Sequence, residues 1–151
     1  MKQIASFSVD HDKILPSMYI SRIDGDITTF DLRTRTPNAG NYMDNVTMHT
    51  VEHMLATLLR SSEIGDSVIY FGPMGCRTGF YLLTRDIAPE RVLAVLKKAL
   101  ADTVAYEGRV PGASRAECGN YLELDLEAAK KECAAYLAVL EHHKGDFSYA
   151  E

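Results

Sequence analysis

His49, Glu52 and His53, in the run Met48-His49-Thr50-Val51-Glu52-His53-Met54, have the types and spacing of a metal-binding helix turn. The pattern is H-x-x-E-H. Two residues four apart leave a helix from one face, with Cβ atoms about 5–6 Å apart, so both imidazoles can converge on one divalent ion. Glu52, next to His53, flanks such an ion without ligating it. A carboxylate there is suited to moving protons beside a Lewis acid. Two histidines leave the ligand set incomplete. Cys118, in the glycine-flanked turn Cys118-Gly119-Asn120, is the best soft third ligand. A His-His-Cys set keeps one tetrahedral position open, as catalytic rather than structural metals do. That position suits a carbonyl or hydroxyl oxygen, and a C–H beside it becomes acidic enough for Glu52 to deprotonate. The bland alternatives are a histidine pair on an ordinary helix and a cysteine that is only a small buried hydrophobe.

Cys76 is the second reactive candidate. It lies in Gly72-Pro73-Met74-Gly75-Cys76-Arg77, where glycines free the backbone to bring the thiol close to something, and Arg77 is a cation that can favour the thiolate. A second proton-transfer group opposite Glu52 is its functional reading. Cys133, among apolar neighbours in a helical run, reads as core. His11 reads as a surface histidine, and His142 and His143 as the end of a helix.

The elements that must position these groups follow from pattern. Residues 18–23 and 27–33 are rich in β-branched and aromatic side chains and flank Asp24-Gly25, which predicts a hairpin with a type I′ turn. Thr28, Phe30 and Leu32 then share one strand face, and Arg33 ends the strand on the other, more polar one. Asp44, Asn45 and Thr47 are candidate N-caps for the His49 helix, which runs to about Ser61 and is apolar around most of its circumference, predicting a buried helix. Residues 67–71 and 78–84 read as strands. A helix starts at Pro89 with a stripe from Val92 to Val104, and the last starts after Asp125 and buries Ala129, Cys133, Tyr136, Leu137 and Leu140. Hairpin strands with helices between them predict one α+β domain over residues 1–151, a mainly antiparallel sheet covered by helices in two layers. Open sheet edges make a homodimer reasonable.

A chain of 151 residues is long enough for one sizeable core. A net charge of -5 argues against nucleic-acid or anionic-membrane partners. No apolar run approaches the roughly 20 residues needed to span a bilayer, and residues 1–8 lack the apolar core of a secretory signal, so the cytoplasm is the expected location. Three widely spaced cysteines do not form a disulfide framework.

Five motifs in order resemble the S-ribosylhomocysteine lyase (LuxS) family over essentially the whole chain. They are Ser6-Phe7-x-Val9-Asp10-His11, Phe30-Asp31-Leu32-Arg33 with Pro37-Asn38, His49-Thr50-x-Glu52-His53, Pro73-Met74-Gly75-Cys76-Arg77-Thr78-Gly79-Phe80-Tyr81, and Glu117-Cys118-Gly119. The resemblance implies cleavage of the thioether of S-ribosylhomocysteine to homocysteine and the autoinducer-2 precursor 4,5-dihydroxy-2,3-pentanedione. It implies one ferrous ion per subunit, replaceable by zinc or cobalt, on His49, His53 and Cys118. It implies Glu52 and Cys76 as the acid/base pair, and Ser6, His11 and Arg33 around the substrate. It also implies a homodimer with active sites at the interface. Many members carry an acidic residue, an aliphatic residue and serine before the proline, where this chain has Tyr70-Phe71-Gly72. A zinc peptidase of the inverted H-x-x-E-H class is the rival reading, but such enzymes are far larger and take a carboxylate as third ligand. A non-catalytic metal-binding module is a third.

Overall fold

A computed structural model describes residues Met1–Glu151. After a short turn of helix α1 (Ala5–Ser8) come β1 (Ser17–Asp24), β2 (Ile27–Arg33), α2 (Asn45–Arg60), β3 (Val68–Pro73), β4 (Gly79–Arg85), α3 (Pro89–Ala105) and α4 (Leu126–Leu140). The four strands form one antiparallel sheet in the order β1-β2-β4-β3. Helix α2 carries the chain from β2 past the place of β4, so β4 later inserts between β2 and β3. Helices α2, α3 and α4 pack on one another, α2 also on β3 and α4 on β1. The result is the two-layer α+β arrangement that the sequence pattern predicts.

The β period of two sorts the sheet. Met18, Phe30, Leu32, Phe71, Phe80 and Leu82 are buried on the helix side, in a core shared with Val51, Leu55 and Leu59 of α2, Leu96 and Leu100 of α3, and Cys133 and Tyr136 of α4. The opposite face carries Tyr19, Asp31 and Tyr81 in one row across β1, β2 and β4. In the next row Gly79 faces Arg33. A Cβ on Gly79 would lie 2.5 Å from the Leu32 carbonyl oxygen, so only glycine lets β4 approach β2 there.

Three local expectations change. The hairpin turn is Gly25-Asp26, since Asp24 still pairs with Ile27, and only Gly25 has positive φ (+62°). That is the II′ pattern rather than I′. Helix α2 buries one side only, through Thr47, Thr50, Val51, Met54, Leu55 and Leu59; His49, Glu52 and His53 lie on its half-exposed side. Met48, Ala56 and Leu58 are half-buried at the margin of the core, and the site residues share the remaining side with exposed Asn45, Thr57 and Arg60. On α3 and α4, Val104 is exposed and Leu137 half-buried, while Thr103 and Glu132 are buried.

Candidate metal centre and neighbouring thiol

Helix α2 begins where its sequence provides a cap: Asp44 Oδ1 accepts the Thr47 N–H at 2.7 Å. These hydrogen bonds hold the Asp44 carboxyl below the usual carboxylate range. One turn further, His49 and His53 stand edge to face, ring centroids 4.6 Å apart. The third member comes from the segment between α3 and α4. There the Ser114 carbonyl accepts the N–H groups of Glu117 and Cys118, and this turn presents Cys118 Sγ 3.3 Å from His49 Nε2. Donor atoms of His49, His53 and Cys118 all lie within 4.8 Å of one another.

The same segment orients both rings. His49 Nδ1 is 2.9 Å from the Glu123 carbonyl oxygen, and His53 Nδ1 is 2.7 Å from that of Pro111. A carbonyl oxygen has no proton to give, so each Nδ1–H is the donor and each Nε2 keeps its lone pair. Carbonyl-anchored imidazoles of this kind are how metal-ligating histidines are held. Gly112 makes the close approach possible. Its φ is +75°, and a Cβ there would sit 3.1 Å from His53 Nδ1. Thr50 Oγ1 accepts the Asp125 N–H at 2.8 Å, tying the start of α4 to the same turn of α2. Two imidazole nitrogens and one thiolate suit zinc, cobalt or iron(II), so the residues present fit a divalent ion. Glu52 lies between the two histidines in sequence, half-exposed on the same helix.

Cys76 belongs to a second cluster, on the β3–β4 loop. The backbone freedom there resides at Arg77, with φ +63°, and neither Gly72 nor Gly75 has positive φ. The loop is closed by Met74 N–H to the Gly79 carbonyl and Arg77 N–H to the Met74 carbonyl. Arg77 itself turns away, over the Tyr42 ring and toward the Met43 carbonyl. The cation beside Cys76 is Arg33. Its Nη1 is 4.0 Å from Cys76 Sγ and donates to Thr78 Oγ1 at 2.9 Å, while Cys76 Sγ and Thr78 Oγ1 lie 3.1 Å apart. Arg33 is 2% exposed and pairs with Asp31, 1% exposed, through Nε–Oδ1 (3.0 Å) and Nη2–Oδ2 (2.6 Å). Burial works against the guanidinium charge and the Asp31 contacts outweigh it, so Arg33 stays above its ordinary range.

Ser6 lines a cavity of about 370 Å³ together with Tyr70, Tyr81 and Arg22. His11, in the turn after α1, hydrogen-bonds through Nδ1 to the Val9 carbonyl at 2.9 Å. Burial pushes the Cys133 thiol up to about 12, in keeping with its core reading. Asp31, Thr78, Tyr149 and the Pro111 and Glu123 carbonyls are participants that sequence reasoning missed. Only Asp31 left a signal, being two residues from Arg33 on one strand face.

The sequence model of the family described as S-Ribosylhomocysteinase (LuxS) matches residues 4–146. The S-ribosylhomocysteine lyase of Borreliella afzelii (strain PKo) is 41% identical, covering 95% of this chain and 96% of the relative. That of Phocaeicola vulgatus (strain ATCC 8482) is 44% identical over 99% and 97%. That of Clostridium beijerinckii (strain ATCC 51743) is 46% identical over 86% of each. No helix of the chain is long and apolar enough to cross a membrane.

Proposed function

The chain belongs to the S-ribosylhomocysteinase (LuxS) family, and from that premise we propose that residues 1–151 form one lyase domain cleaving the thioether of S-ribosylhomocysteine. The products are homocysteine and 4,5-dihydroxy-2,3-pentanedione, the autoinducer-2 precursor. The observation that carries this reading is the convergence of His49, His53 and Cys118, with both Nδ1 atoms committed to backbone carbonyls.

His49, His53 and Cys118 hold one divalent ion per subunit, iron(II) in the family's usage, with zinc or cobalt as substitutes. When bound, the ion supplies Lewis-acid polarisation at a substrate oxygen. The chain's own groups move the protons. Once the ribose has opened to its aldehyde, the carbonyl must migrate from C1 to C2 and then to C3. Each shift takes a proton from one carbon and returns one to its neighbour, so neither oxidant nor water is consumed. Glu52 and Cys76 form the pair that takes and returns them. With the carbonyl at C3, removal of the C4 proton forms a C4–C5 double bond and breaks C5–S, and the resulting enol gives up its C4 hydroxyl proton and gains one at C5 to become the dione. The electron pair leaves on the homocysteine sulfur. Arg33 keeps a fixed positive charge beside Cys76, and Ser6 and His11 orient substrate hydroxyls.

Exposed Ile4, Phe7 and Leu15 near the N-terminus, and a sheet face that α2, α3 and α4 leave uncovered, support a homodimer with the active sites at its interface. Three free cysteines support a reducing compartment, the cytoplasm.

The test is release of free thiol from S-ribosylhomocysteine. Metal-loaded protein should release it, and Glu52→Gln and Cys76→Ala should each slow release by roughly 10²-fold or more. No release from loaded native protein, or native rates from the Cys76→Ala variant, would overturn the assignment.

A further inference from the structure

The last residues of the chain lie against the sheet beside the Cys76 cluster, and nothing in the reaction as derived above uses them. Phe147 is buried, packs edge-on to Phe30 at 6.4 Å, and its carbonyl accepts the Ile20 N–H at 2.8 Å, covering the free edge of β1. Two residues on, Tyr149 stacks on Tyr19 with ring centroids 4.7 Å apart. Its hydroxyl donates to Asp31 Oδ2 at 2.7 Å. Asp31 is the carboxylate that grips Arg33 on both oxygens, and Arg33 is the cation next to Cys76 Sγ. A continuous chain of hydrogen bonds therefore runs from the C-terminal phenol through a buried ion pair to the thiol.

We propose that Tyr149 is a positioning residue of the lyase site, holding Asp31 so that the Arg33 charge lies against Cys76. A buried carboxylate with one acceptor direction unused would pull harder on its guanidinium and weigh more heavily on the sulfur. The phenol takes up that direction. Burial and the Asp31 charge keep the phenol far above its ordinary range, so it remains a donor at every working pH. The groups around Cys76 are Arg33 from β2 with Asp31 behind it, Thr78 just before β4, Tyr81 of β4, and Tyr149 from the tail acting through Asp31. Tyr19 supplies the ring on which Tyr149 rests.

The inference rests on the lyase reading, and its test separates the two. Tyr149→Phe keeps the stacked ring and removes only the hydroxyl. Cys76 alkylation by iodoacetamide, with peptide mass mapping to distinguish it from Cys118 and Cys133, is read across pH without any substrate. Thiol release from S-ribosylhomocysteine is read in parallel. Expected are a Cys76 alkylation profile displaced to higher pH, a kcat about fivefold lower and an unchanged KM, in a protein that stays folded with a melting temperature only a few degrees lower. Deletion of residues 148–151 should reproduce all three kinetic results. Alkylation and kcat equal to native in the Tyr149→Phe protein would overturn the proposal. A changed alkylation profile in a protein whose native form releases no thiol would uphold the positioning and sink the lyase reading instead.

Discussion

Gly112 illustrates how a residue without chemistry controls the chemistry. A Cβ there meets His53 Nδ1 at 3.1 Å in a left-handed backbone, so the Pro111 carbonyl must shift away from the ring it orients. Gly112→Ala should lower metal affinity by about tenfold, measured by competition with a chromogenic chelator, with the three ligands intact. Arg33 answers to two demands. Family resemblance places it near the substrate, yet its guanidinium is enclosed and paired with Asp31. Arg33→Met would leave a buried carboxylate without its cation and should cost about 3–5 kcal/mol in denaturant unfolding. Asp31→Asn with Arg33→Met should recover much of that stability and none of the activity. His49, His53 and Cys118 could be read from the sequence because ligand types and i, i+4 spacing are visible there. The carbonyls of Pro111 and Glu123 could not, since every residue has one and only the folded segment decides which is aimed at a ring.

Helix α2 is the element on which the site depends, and its boundaries were legible because caps are chemical. Asp44 satisfies the Thr47 N–H, and Asp44→Ala should cost about 1 kcal/mol by denaturant titration. The sign of its pH dependence follows from its depressed folded-state value. Asp44 contributes fully above the ordinary carboxylate range and loses that contribution as pH falls through the lower folded-state value. Native protein should therefore lose stability relative to Asp44→Ala on acidification below about pH 4, and an unchanged difference down to pH 2 would contradict this. The burial around most of its circumference expected of α2 is not what the fold shows, because composition counts apolar residues but cannot tell that the side bearing His49, Glu52 and His53 stays half-exposed. The hairpin shifted by one residue for a similar reason. Asp24-Gly25 and Gly25-Asp26 both place glycine where positive φ is needed, and strand pairing chose between them.

At the scale of the whole molecule the fold builds two separate clusters. One is the α2 helix closed by the segment before α4; the other is the sheet face with Cys76, Arg33 and the C-terminal tail. The antiparallel two-layer architecture was readable from alternation and helix periodicity, whereas the strand order β1-β2-β4-β3 depends on long-range pairing that local pattern does not encode. A divalent ion that binds only the folded chain also stabilises it, so metal-loaded protein should melt higher than stripped protein, and excess chelator should reverse the gain. The central claim is that thioether cleavage depends on one ion held by His49, His53 and Cys118. Its most direct test is the rate of thiol release from S-ribosylhomocysteine, measured against metal content across stripped and stepwise reloaded samples. The rate should rise as a line through the origin, level off at one ion per chain, and show no such rise in Cys118→Ala. Release that persists in fully stripped protein, or that survives the loss of Cys118, would contradict it.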